Sequence, residues 1–222
     1  MKRYYTKEQY FNGETLALFA EKMVKKLAKG SNKLLVDSNK KTALIVCDIQ
    51  KFFFEQSSNA YIPSAKYVLP NILKLIDVMY SAGQPVIFTR HGNNISDAGM
   101  MVKKWKKLIE RDSVYFEIID ELDTGGHIIL DKIRYDAFYQ TNLDKILNKN
   151  GMAQLIVTGV MTHLCCETTV RSAFMKDYNV LFPVDATATY NEEFHTASYT
   201  NLCHGFIEPV TTNQLIETLK NG

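Results

Sequence analysis

From residue 42 onward, short apolar runs alternate with amphipathic stretches. TALIVCDI (42–49) is a nearly continuous apolar run, and PVIFT (85–89), HIILD (127–131), QLIVTGV (154–160), NVLFPV (179–184) and FIEPV (206–210) repeat the pattern. Runs of this length without polar alternation predict strands buried on both faces. Between them, residues 64–82 carry Val68, Ile72, Leu75, Ile76 and Met79 at helical spacing and stop at Gly83. Helices are also predicted over 142–151, 166–178 and 192–205, with a last one from about Thr212. Only 91–126 lacks a clear period, and there a single helix is expected around Trp105. Strands alternating with helices predict an α/β fold: a doubly wound, mostly parallel six-stranded sheet between helix layers, Rossmann-like in topology.

Residues 1–41 do not belong to that rhythm. They read as an N-terminal helical extension preceding a domain over 42–222, with Leu16, Phe19, Met23 and Leu27 on one helical face and Gly30-Ser31-Asn32 as the stop. The basic positions Lys22, Lys25, Lys26 and Lys29 are expected to face water rather than a membrane. The apolar stripe, together with aromatics on the late helices (Phe174, Tyr178, Tyr190, Phe194, Tyr199), motivates an expectation of a homo-oligomer, a dimer or tetramer. The alternative is that the helix covers the edge of its own sheet.

Composition narrows the function classes. There are 26 basic against 24 acidic residues, a net charge of +2, which gives no electrostatic reason to expect nucleic acid or an anionic membrane as partner. Hydrophobic residues at 46% support a large core. No signal-peptide pattern opens the chain, and the cysteines at 47, 165, 166 and 203 suggest neither a disulfide framework nor structural zinc, so a cytoplasmic protein with reduced thiols is expected.

Ligands of such sheets bind beyond the carboxyl ends of the strands. There the chain offers Asp48 after the first strand, Lys132 after the third, and Cys165 at the start of the helix after the fourth. A thiol at a helix N-terminus beside a lysine favours the thiolate, and a carboxylate can carry its proton to a leaving group. Backbone N–H groups of the preceding turn can hold an oxyanion. Each residue alone has an ordinary reading, as a cap, a surface charge or a small hydrophobe; their joint placement is what points to chemistry.

At these positions the sequence resembles the isochorismatase-like cysteine hydrolase superfamily. VCDIQKFF (46–53) resembles its D-x-Q block, DKIRYDAFYQTNLDKIL (131–147) its K-x-R-Y-x-x-F block, and GVMTHLCCETTVRSAF (159–174) its nucleophile block. The resemblance implies Asp48 as base, Lys132 as catalytic lysine and Cys165, six residues after Gly159, as nucleophile. It also implies a cis Val160-Met161 bond, with the N–H groups of Met161 and Cys165 as the oxyanion hole, and dimers or tetramers. The usual acidic residues are replaced by Phe52 and Ser172, and residues 51–64 contain no His or Asp for the metal cluster of nicotinamidase-type members. No metal and no cofactor are therefore expected. The pocket is expected to include Gln50, Phe53, Phe54, His91, Trp105, Tyr135, Phe138 and His163, and to take a small-molecule substrate. Two further readings stay open: vinyl-ether hydrolysis with Asp48 as acid, and a non-catalytic binding protein.

Overall fold

The computed structural model describes residues 5–28, 37, 39–105 and 107–220. The Gly30-Ser31-Asn32 stop and Lys29 lie outside the described residues. In chain order the elements are α1 (Leu16–Leu27), β1 (Thr42–Cys47), α2 (Lys51–Phe54), α3 (Ala65–Ser81), β2 (Val86–His91), α4 (Ile95–Ala98), α5 (Met100–Lys104), β3 (Ile128–Lys132), α6 (Leu143–Lys149) and β4 (Gln154–Val160). A π-helical turn (Thr162–Cys166) then leads into α7 (Glu167–Phe174), followed by β5 (Asn179–Pro183), β6 (Thr187–Ala188), α8 (Glu192–Gly205), β7 (Glu208–Val210) and α9 (Thr212–Lys220).

The sheet has seven strands, all paired in parallel, in the order β3-β2-β1-β4-β5-β7, with β6 against β4. The expected six-stranded count is corrected by β6, whose two residues are too short to show a period. Every residue of β1 is buried. Leu44 and Val46 enter the cluster containing Val68, Ile72, Leu75 and Leu215, whereas Ala43, Ile45 and Cys47 enter the opposite one with Leu143, Leu147, Val170 and Tyr199. The alternation of Cβ directions along a strand divides one apolar run between two helix layers. At the end of α3, Gly83 takes φ +64° and the Gln84 N–H reaches back to the Met79 carbonyl at 2.9 Å, the left-handed stop its position predicted.

Residues 91–126 form no single helix. They contain α4, α5 and a 3-10 turn at Val114–Phe116, and Trp105 caps the C-terminus of α5. Helix α1 packs against β7, α8 and the 184–186 turn of its own chain. Leu16 joins the core on one face of the sheet, and Ala20 and Met23 join the core on the other. Tyr178, Tyr190 and Tyr199 are buried in the same chain. Of the positions that motivated an oligomer, Leu16, Met23, Tyr178, Tyr190 and Tyr199 are covered from within, Phe19, Leu27 and Phe194 are half-buried and Phe174 is exposed. Lys22, Lys25 and Lys26 are exposed. No helix among the described residues is long and apolar enough to cross a membrane.

Candidate active site

The sheet reverses its winding between β1 and β4, whose registers place Cys47 beside Gly159. Asp48 leaves the end of β1 with φ 51°, a left-handed conformation that aspartate tolerates better than most side chains. Its Oδ2 lies 2.8 Å from Lys132 Nζ, with both side chains fully buried. Its Oδ1 accepts the Thr89 hydroxyl at 2.6 Å. Thr89 is a site residue the sequence reading passed over. Its signal was the strand register, which sets it opposite Cys47 on β2. Lys132 comes from two strands away; its ammonium also donates to the Arg134 carbonyl at 3.1 Å.

Across the switch point, the Val160-Met161 bond is cis. The π-turn follows, with the Cys166 N–H closing onto the Met161 carbonyl at 3.2 Å. Cys165 therefore does not open α7; it sits inside the turn before it. Its thiol is close enough to Asp48 and to Lys132 to feel the charge of both.

The electrostatics correct one expectation. Burial, and next the Asp48 charge, push the Cys165 thiol well above its ordinary value, and Lys132 opposes them only in part. The resting group is the thiol, so its proton has to leave as the thiol attacks, and Asp48 is the adjacent acceptor. Burial is the largest single influence and disfavours the Lys132 ammonium, but the Asp48 charge and hydrogen bond, with the neighbouring cysteines, together outweigh it and hold the lysine charged. Removing either charge strands the other. Lys132→Met should cost about 3–5 kcal/mol in chemical denaturation, the usual penalty for an uncompensated buried charge. A midpoint unchanged from the wild type would refute the pairing.

The expected pocket residues separate into two groups. His91 pairs in register with Lys132. Its Nδ1 lies 3.3 Å from the Arg134 carbonyl, and burial, then Lys132, bring the imidazole down to about 4, leaving it neutral. Tyr135 lies near enough to Cys165 and Lys132 to be influenced by both. Trp105 joins through its indole N–H, which donates to the Tyr135 hydroxyl at 2.7 Å. These residues gather around the trio.

The others do not. Gln50 is fully buried and committed: Nε2 donates to the carbonyls of His91 (3.0 Å) and Phe116 (2.9 Å), and Oε1 accepts the His91 N–H at 2.8 Å. It stitches the end of β2 to the following loop. Phe53 packs in the core with Phe54 against it, and Phe138 lies in the opposite cluster, stacked on Tyr178 at 6.0 Å. His163 turns to the 189–194 segment, with Nδ1 2.6 Å from Thr189 Oγ1 and its ring 4.5 Å from Phe194. Phe52 packs on Phe53 and Tyr115, and Ser172 donates to Asp136 at 2.8 Å. A cavity of about 460 Å³ lined by Lys41, Tyr80, Gln84, His127 and Met152 opens at the amino ends of the strands, away from these groups.

The donor set does not fit a catalytic metal centre. Among the described residues, no group of three or more His, Cys, Asp or Glu side chains could hold a metal ion.

Comparison with known proteins agrees with this geometry. The isochorismatase domain model matches residues 42–214. "Nicotinamidase 3" of Arabidopsis thaliana is 40% identical over 189 residues, covering 82% of this chain and 91% of that protein. The ureidoacrylate amidohydrolase RutB of Serratia proteamaculans is 30% identical over 180 residues, covering 69% and 72%. Among solved structures, a cysteine hydrolase from Pseudomonas syringae pv. phaseolicola superimposes with a TM-score of 0.82 at 27% identity, covering 87% of this chain and 99% of that one.

Proposed function

The chain belongs to the isochorismatase family, and from that premise we propose that it is a metal-independent cysteine hydrolase that cleaves a C–N bond of a small amide through a thioester. One observation carries the reading. A buried carboxylate, held by Lys132 at 2.8 Å and Thr89 at 2.6 Å, stands close enough to a buried thiol for its charge to act on it. The names of the relatives support the bond type: two of them, the nicotinamidase and the ureidoacrylate amidohydrolase, are named for amide hydrolysis.

In this mechanism the Cys165 sulfur attacks the substrate carbonyl carbon while its proton passes to Asp48. The oxyanion is held by the N–H groups of Met161 and Cys165. Collapse breaks the C–N bond, and the proton on Asp48 goes to the departing nitrogen. Water then adds to the thioester, giving a proton to Asp48 that returns to the leaving sulfur as the carboxylic acid departs. Lys132 stays paired with Asp48 throughout. His91, Tyr135 and Trp105 form part of the substrate wall.

Acid-quenched intact mass after incubation with a panel of amides, nicotinamide and ureido compounds among them, tests the proposal. The expected result is an acyl adduct on the wild-type chain and none on Cys165→Ala. Turnover should survive prolonged dialysis against a strong chelator, because no step uses a metal. Turnover of a vinyl ether by Cys165→Ala, with no amide hydrolysed by the wild type, would overturn the reading; so would stoichiometric zinc or iron whose removal abolishes activity.

A further inference from the structure

His195 lies within α8, fully enclosed, and the mechanism above gives it no task. Its Nδ1 is 3.1 Å from the Tyr10 hydroxyl and 3.2 Å from the hydroxyl of Thr162, the first residue of the π-turn that carries Cys165. The Tyr10 hydroxyl already accepts the Thr189 N–H at 3.1 Å, so its own proton is directed to the imidazole. Nε2 has no hydrogen-bond partner among the described residues, so the polar contacts of the ring run through Nδ1. Burial brings the ring down to about 3, so it accepts without acquiring charge.

Tyr10 is itself firmly placed. Its ring lies 4.4 Å from that of Phe11 and 5.8 Å from that of Phe19, and its N–H donates to Ser64 Oγ at 3.1 Å. The segment around it is bonded to the 190–192 turn: the Glu8 N–H donates to the Tyr190 carbonyl at 2.8 Å, and Asn191 Nδ2 donates to the Thr6 carbonyl at 3.0 Å. All of these N-terminal groups precede the matched family domain, which begins at residue 42.

We propose that Tyr10 is a positioning residue that acts through His195 on Thr162 and so holds the turn that aims the Cys165 thiol. The proposal rests on the reading of Cys165 as the nucleophile. The physical reason is leverage. Thr162 follows Met161 directly and lies three residues before Cys165, so a shift of its side chain moves both the oxyanion donors and the sulfur. Small misplacements of reacting groups are costly in rate.

The test measures alkylation by iodoacetamide, with peptide mass mapping to give separate rates at Cys165 and at the half-buried Cys203 on α8. Tyr10→Phe keeps the ring and removes the hydroxyl; Thr162→Val removes the other hydroxyl at similar shape. Each should slow Cys165 labelling about tenfold, the effect of one lost hydrogen bond. The double variant should be no slower than either single one, because both act through the same imidazole. Labelling of Cys203 should be unchanged. An unaltered Cys165 rate in Tyr10→Phe, or additive slowing with faster Cys203 labelling, overturns the proposal in favour of a general loosening. If Tyr10→Phe does not fold, Thr162→Ser against Thr162→Val decides, since serine keeps the hydroxyl and should keep the wild-type rate; equal rates in the two overturn the idea. A wild-type Cys165 that is inert while Cys203 reacts removes the nucleophile, and this proposal falls with it. A reactive Cys165 indifferent to Tyr10 and Thr162 sinks this proposal alone.

Discussion

Cys165→Ala should lower amide turnover at least about 10³-fold, whereas Cys166→Ala should leave the rate near that of the wild type. The two thiols are adjacent in sequence and face different surroundings. Cys165 is within reach of Asp48 at the switch point. Cys166 is fully buried, a free thiol whose sulfur lies 3.8 Å from the Thr158 carbonyl, within the core cluster on one face of the sheet. Its replacement removes packing, and its effect belongs in the melting temperature. Steady-state release of the leaving amine from purified variants checks both statements. An inactive Cys166→Ala beside an active Cys165→Ala would reverse the assignment.

The largest effect on stability is expected at Gly159. This residue is the last but one of β4 and takes φ +106°, and a Cβ there would lie 2.1 Å from the Cys47 carbonyl oxygen and 2.7 Å from the Cys47 nitrogen. Both atoms are backbone of the central strand, so neither can rotate away. Gly159→Ala should lose more than about 4 kcal/mol, a large share of the about 5–15 kcal/mol that holds a typical domain folded. Gly13→Ala, where no atom lies within 4 Å of the added carbon, should stay within about 0.5 kcal/mol of the wild type. Chemical denaturation of the two variants side by side decides. Equal midpoints would mean that β1 and β4 can separate locally, contrary to the packing.

That Asp48, Lys132 and Cys165 meet at one place was legible because the signals are positional. Asp48, Lys132 and Cys165 each stand at or just after the carboxyl end of a strand, and strand ends are visible in the apolar pattern. What the pattern does not carry is direction. Gln50 and Phe138 lie at strand ends or in matched blocks, yet one turns its amide to backbone and the other its ring to Tyr178. The resting state of Cys165 was misread for a similar reason: proximity to a helix start and a lysine is sequential information, while the burial that outweighs them is tertiary. The 91–126 region was illegible because its helices span one turn or little more, too short for a period. The link from Tyr10 to His195 joins residues 185 positions apart, and nothing local announces it.

The order of the strands also sets a timetable. β1 pairs with β4 in a register that joins Thr42 to Gln154, so the central seam of the sheet closes only after the intervening chain exists. Contacts this distant in sequence make folding slow, because the entropy of the long loop is lost before the pairing repays it. During synthesis the β1 edge awaits its partner for on the order of ten seconds. Over that interval Asp48 lacks the neighbouring thiol, and for most of it the lysine as well. The reactive centre is thus among the last features to assemble, and an incomplete chain carries its carboxylate and its cysteine as unrelated side chains.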